Sequence, residues 1–167
     1  DGAQTRGVSF SVKDKQKIAA WLDDLGVAYI EGGWPGANPT DDAFFAAPSD
    51  LKNAKLTAFG MTCRLEGKAE EDAGLKTLAA SSAPAVCLVG KTWDFHVTNA
   101  LGASLEENLR IIRESVAFMV SQGKEVLFDA EHFFDGFKAN EEYALSCLRE
   151  AQRAGAAWLV LCDTNGG

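Results

Sequence analysis

The feature that most constrains this chain is a repeat. Short apolar runs occur at positions 27–30, 56–59, 85–89, 126–128 and 158–161, with starts about thirty residues apart and once about forty. Runs of this length without polar alternation suit strands covered on both faces, as in a parallel sheet. Helical patterns fill the intervals. Ser11 with Asp14 has the form of a capping box, and Ile18, Leu22 and Leu25 then share a face before Gly26. Ser104 with Glu107 repeats the device, followed by the stripe Leu105, Leu109, Ile112, Val116 and Val120 and a stop at Gly123. Asn140 can cap a third helix carrying Ala144, Leu145, Leu148 and Ala151, closed by Gly155. A weaker helix is expected over 70–80, and a short one near 41–46 in a loop-rich stretch after Trp34-Pro35. Strand and helix alternate throughout, so the class is α/β with a parallel sheet.

Two architectures satisfy that pattern, and the strand ends separate them. No GxGxxG or GxxxxGK[ST] follows any strand, so the usual phosphate-cradling loops are absent. Instead a polar cluster follows every apolar run: Glu31; Thr62-Cys63-Arg64; Lys91, Trp93, Asp94 and His96; Asp129, Glu131 and His132; Asp163-Thr164-Asn165. In a (β/α)8 barrel all of these face one mouth, where the active site lies. A doubly wound sheet uses mainly the ends at its switch point. A TIM barrel is therefore expected. If Asp1-Gly2-Ala3-Gln4 ends a first strand, the 167 residues hold about six βα units, where a whole barrel takes about 250 residues. The chain has no initial Met and stops just after an apolar run, so it reads as a fragment: 1–167 as a partial catalytic barrel, first strand end through sixth strand.

Charge and cysteine usage narrow the partners. Sixteen Lys and Arg stand against 24 Asp and Glu, a net charge of −8 without a basic cluster, which argues against nucleic acid and anionic lipid. No apolar stretch reaches the ~18 residues of a membrane span. Cys63, Cys87, Cys147 and Cys162 show no CxxC spacing and no secretory signal precedes them, so reduced thiols in the cytoplasm are expected.

The residues at the presumed mouth admit chemical and plain readings side by side. Asp1 can bind a hard divalent cation such as Mg2+ or Mn2+, or cap a turn. Gln4 can hydrogen-bond a ligand or start a turn. In Asp129-Ala130-Glu131-His132 the two carboxylates alternate with Ala130 and so point to one side, where each can shift the other's pKa and serve as an acid or base. The alternative is a polar, exposed strand end. His96 and His132 lack HxH or HxxxH partners, which favours a structural role for each. Lys91 and Trp93 can line a pocket or cover the rim. Arg64 can clamp a carboxylate or stay solvated, and Thr164 can hydrogen-bond a substrate carboxylate or cap a helix.

At these same positions the sequence resembles a known family. Asp1-Gly2-Ala3-Gln4 is similar to the tail of the Asp/Asn-Arg-Asp-Gly-x-Gln signature of acyl-CoA condensing TIM-barrel enzymes, a group that includes 2-isopropylmalate, homocitrate and citramalate synthases and hydroxymethylglutaryl-CoA lyase. Residues 29–39 (YIEGGWPGANP), 91–97 (KTWDFHV) and 128–136 (FDAEHFFDG) resemble the bacterial citramalate synthase branch, and the similarity runs over the whole chain. The resemblance implies an acyltransferase of branched-chain amino-acid (isoleucine) biosynthesis that condenses acetyl-CoA with a 2-oxo acid, here pyruvate, by a metal-assisted Claisen-type reaction and thioester hydrolysis. The alternatives are 2-isopropylmalate or homocitrate synthase, a related acyl-CoA lyase, or a non-catalytic carboxylate-binding module. The resemblance also assigns residues: Asp1 to the divalent metal, Gln4 near it, Glu131 to removing the acetyl proton, and Thr164 to the oxo-acid carboxylate. The motif Arg, the HxH metal pair and the region completing the CoA site and homodimer are missing from these 167 residues. The piece alone is thus expected to be inactive, to bind metal poorly and, with unpaired strand edges, to aggregate or fold loosely.

Overall fold

A computed structural model describes residues 5–47 and 50–166. Its elements are α1 (Val12–Leu25), β1 (Tyr29–Gly33), α2 (Pro39–Ala46), β2 (Lys55–Met61), α3 (Ala73–Ala80), β3 (Ala85–Lys91), α4 (Asp94–His96), which runs into a π turn over Val97–Leu101, α5 (Leu105–Ser121), β4 (Glu125–Glu131), α6 (Phe133–Ala139), α7 (Glu141–Arg153) and β5 (Trp158–Leu161). The caps form where the sequence places them. Ser11 and Asp14 make the reciprocal capping box of α1, which ends at Gly26 in the left-handed region. The Ser104 side chain accepts the Glu107 N–H at the start of α5, and Asn140 accepts that of Tyr143 at the start of α7.

The five strands are parallel and lie in chain order, β1-β2-β3-β4-β5. A doubly wound sheet must reverse its order somewhere. An order that never reverses sends every right-handed crossover to the same face. That face carries the core: Val86, Leu88, Val126, Phe128 and Ala130 are fully buried beneath Leu75, Ile112, Val116 and Ala144 of the helices. Burying each of the larger side chains contributes roughly 1.5–3 kcal/mol.

The opposite face curves inward. In a flat sheet β1 and β5 would stand four strand spacings apart, roughly 19 Å. Here the Trp158 indole N–H of β5 donates to the Tyr29 hydroxyl of β1 at 2.8 Å, and the two rings meet edge to face. The sheet is therefore an arc of a (β/α)8 barrel, as the strand-end pattern predicts. Its lower rim is closed by polar contacts, since Tyr29 donates to Glu125, which also pairs with Lys55. The expected first strand falls on residues 1–4, outside the described residues. Among the described residues no helix is long and apolar enough to cross a membrane.

Two helical segments were not expected from sequence, α4 with its π turn and α6. Neither has a side-chain cap at its N-terminus. α6 is instead seated by close packing: a Cβ on Gly136 would stand 2.5 Å from the Thr92 carbonyl oxygen, so only glycine lets the helix lie on the end of β3.

Candidate active site at the barrel mouth

The polar clusters converge at the carboxyl ends of the strands around a cavity of about 440 Å³, whose lining includes Trp34, Met61, Arg64, Lys91 and Glu131. After β1 the chain turns sharply. Gly33 has φ +134° and no room for a Cβ against the Asp41 carboxylate. That carboxylate, at the start of α2, accepts the Trp34 N–H at 3.0 Å and pairs with Lys15, which also donates to the Gly32 carbonyl. The Gly-Gly-Trp-Pro stretch is thus a fixed turn that presents the Trp34 ring, stacked edge to face on Phe59.

After β2, the Cys63 N–H donates to the buried Ser115 hydroxyl at 2.8 Å, and burial pushes the Cys63 thiol above its ordinary range. It is a packing residue, and Arg64 follows it into the cavity lining. After β3 and β4, Lys91 and Glu131 are register partners on the concave face and form an ion pair. The backbone below them is pinned: the Thr92 hydroxyl donates to the Glu131 carbonyl at 2.8 Å, and the Asn108 amide donates to the Lys91 carbonyl at 2.8 Å.

Asp129 lies on the same face two residues below Glu131, as alternation requires. Across the concave face, the Asp129 charge reaches Glu31. Burial raises the Asp129 carboxyl, opposed by a hydrogen bond with Cys87. Glu31 is raised first by desolvation on the crowded concave face, although its surface remains open to solvent, and then by the Asp129 charge.

His96 and His132, separated by 36 positions in sequence, meet at the rim with ring centroids 4.5 Å apart, and Trp93 packs on both. Sequence spacing could not show this, because the pairing depends on the β3–β4 register. His132 sits in the left-handed region (φ +53°) and its Nδ1 is 3.3 Å from Asp135. His96 Nδ1 is buried without a partner among the described residues, and burial, then the neighbouring His132 and Lys91 charges, hold this imidazole below the ordinary range.

Thr164, beyond β5, accepts the His132 N–H at 2.9 Å. That contact uses a lone pair and leaves the hydroxyl hydrogen without an acceptor among the described residues, so it can donate to a bound carboxylate. The structure therefore brings Glu131 and Thr164 to one end of the barrel. Asp1 and Gln4 lie outside the described residues. Among the described residues no three His, Cys, Asp or Glu side chains gather as a metal centre.

The chain is 56% identical over its whole length to (R)-citramalate synthase of Aquifex aeolicus (strain VF5), and 52% identical to that of Geobacter sulfurreducens (strain ATCC 51573 / DSM 12127 / PCA). It spans about a third (32%) of the length of each. In fold it resembles the hydroxymethylglutaryl-CoA lyase from Pseudomonas aeruginosa, with a TM-score of 0.74 at 18% identity over 99% of this chain and 55% of that one. The HMGL-like family model matches residues 1–167. With the match unbroken from end to end and the strand-end residues gathered at one mouth, the chain belongs to the HMGL-like family.

Proposed function

We propose that the full-length protein is an acyltransferase that condenses acetyl-CoA with pyruvate to give citramalate and CoA. The observation that carries this reading is Glu131 at the barrel-mouth cavity, with Thr164 bonded to the N–H of the next residue, His132, in a chain 56% identical to an (R)-citramalate synthase. The Glu131 carboxylate takes a proton from the acetyl methyl group, and the C–H electrons pass into the thioester enolate. The enolate carbon attacks the ketone carbon of pyruvate, and the C=O π electrons pass to the ketone oxygen, which takes up a proton to become the hydroxyl. Water then cleaves the thioester to give the second carboxylate and release CoA as its thiol. The Thr164 hydroxyl donates to the pyruvate carboxylate and so orients the ketone.

A divalent cation, Mg2+ or Mn2+, is assigned to Asp1, with Gln4 beside it. The resemblance assigns its remaining ligands to an HxH pair, which these 167 residues lack. The chemistry assigned to the described residues is accordingly proton transfer and carboxylate binding. The whole protein acts as a cytoplasmic homodimer, and residues 1–167 are its partial barrel, through the sixth strand. The acidic balance of these residues, net −8 without a basic cluster, argues against a nucleic-acid role.

The test is CoA release by the full-length protein, with and without Mg2+ or Mn2+. Release with pyruvate, and little with 2-oxoisovalerate or 2-oxoglutarate, supports the assignment. Preference for either other acid moves it to 2-isopropylmalate or homocitrate synthase. No release with any of them removes the condensing chemistry.

A further inference from the structure

Resting on that reading, we propose that Lys91 is a positioning residue that holds the Glu131 carboxylate in the orientation from which it takes the acetyl proton. Both backbone carbonyls are already held by hydrogen bonds from buried side chains. Asn108, fully buried on α5, holds the Lys91 carbonyl. Thr92, also fully buried and covered by Gly136 of α6, holds the Glu131 carbonyl. What remains free is the Glu131 side chain, with three torsions between a fixed Cα and the carboxylate. Among the described residues, its side-chain partner is the Lys91 ammonium.

The geometry of that contact matters. The ammonium engages Oε2 and leaves Oε1 without a hydrogen bond among the described residues. Lysine, a point charge, restrains one oxygen, whereas a guanidinium fork would take both. One oxygen is thereby fixed and the other offered to the cavity as base. The two side chains are only 21% and 26% exposed, so the pair is partly screened from water and holds its geometry better than a surface ion pair. When Oε1 takes the proton, the ammonium keeps its positive charge beside the site where the enolate forms.

The experiment is a double-mutant cycle in the full-length enzyme with Lys91→Met, Glu131→Gln and the pair. Lys91→Met is expected to lower kcat by about tenfold to a hundredfold, the scale for a misplaced reacting group, with the KM for pyruvate little changed. The primary isotope effect with methyl-deuterated acetyl-CoA should rise as proton removal becomes slower. In the Glu131→Gln background the same substitution should cost almost nothing, because Lys91 acts through Glu131. If Lys91→Met does not keep the wild-type melting temperature, Lys91→Gln, which loses the charge but keeps a donor, replaces it and is expected to cost less. An equal cost in both backgrounds, or an unchanged isotope effect, overturns the positioning role. An inactive wild-type enzyme would instead sink the functional reading itself, whereas an active wild type with full-rate Lys91→Met sinks only the role of Lys91.

Discussion

Strand β4 carries a glutamate at each end of its concave face, and the two have opposite surroundings. At the lower rim Glu125 accepts from the Tyr29 hydroxyl and pairs with Lys55, while Trp158 closes the ring of contacts through Tyr29. Every element of that network belongs to a different strand, β1, β2, β4 or β5, and its contacts are among its own members. At the upper rim Glu131 also has a lysine, but one carboxylate oxygen, the Thr164 hydroxyl hydrogen and His96 Nδ1 are left without partners among the described residues. The same residue type on the same strand thus closes the barrel at one end and stays available for chemistry at the other. This is the usual division of labour in TIM barrels, stability below and catalysis above.

The comparison breaks most visibly on activity. Glu131→Gln is expected to lower kcat on the order of 10²–10⁴-fold, the range for a lost general base, with the melting temperature held. Steady-state kinetics beside a thermal melt checks both. If activity survives, the two glutamates differ only in their neighbours.

Gly136→Ala comes next, and it tests how the upper rim is built. A methyl group there meets the Thr92 carbonyl and the Trp93 backbone, neither of which can rotate away. Overpacking of this kind costs about 1–3 kcal/mol, measurable by denaturant unfolding. The displaced β3 end should lower kcat as well.

This site also shows where sequence reading ran short. The five strands, the capped helices and the polar strand ends were legible, because each leaves a local signature of apolar runs, cap residues or alternation. α4 and α6 leave none, since Trp93 and His132 stand at their N-termini without capping through their side chains. They are held by tertiary contact at Gly136. The His96–His132 and Lys91–Glu131 pairings were hidden for a related reason. Both follow from the β3–β4 register, which fixes residues some forty positions apart. The electrostatic pairing of Asp129 with Glu31 was hidden too, since it follows from the curl of the sheet, which brings β1 and β4 across the concave face.

Smaller effects sharpen the same contrast through pH. Glu125→Ala should destabilise the protein by about 1 kcal/mol at pH 7, the discounted value of a half-open charged network. Hydrogen bonds from Lys55 and then Tyr29 hold the Glu125 carboxyl below its ordinary range. Its contribution is therefore complete above the unfolded value of about 4.3 and is lost as pH falls through the folded value. Asp129 runs the other way. Burial raises its carboxyl, so its stabilising share is present below about pH 4 and lost as pH rises through the folded value. Asp129→Asn should give the smallest change, a modest rise in melting temperature at pH 7 that vanishes in acid. A rise that persisted below pH 4 would point to packing instead of charge.

The most direct test of the central claim follows the methyl hydrogens. Full-length enzyme is given methyl-deuterated acetyl-CoA, pyruvate and Mg2+ or Mn2+, and the products are identified by mass spectrometry. If the upper rim takes one proton and joins the remaining carbon to the ketone, citramalate appears carrying two of the three deuterons. Acetate retaining all three deuterons, with pyruvate unconsumed, would show thioester hydrolysis without condensation and contradict the account.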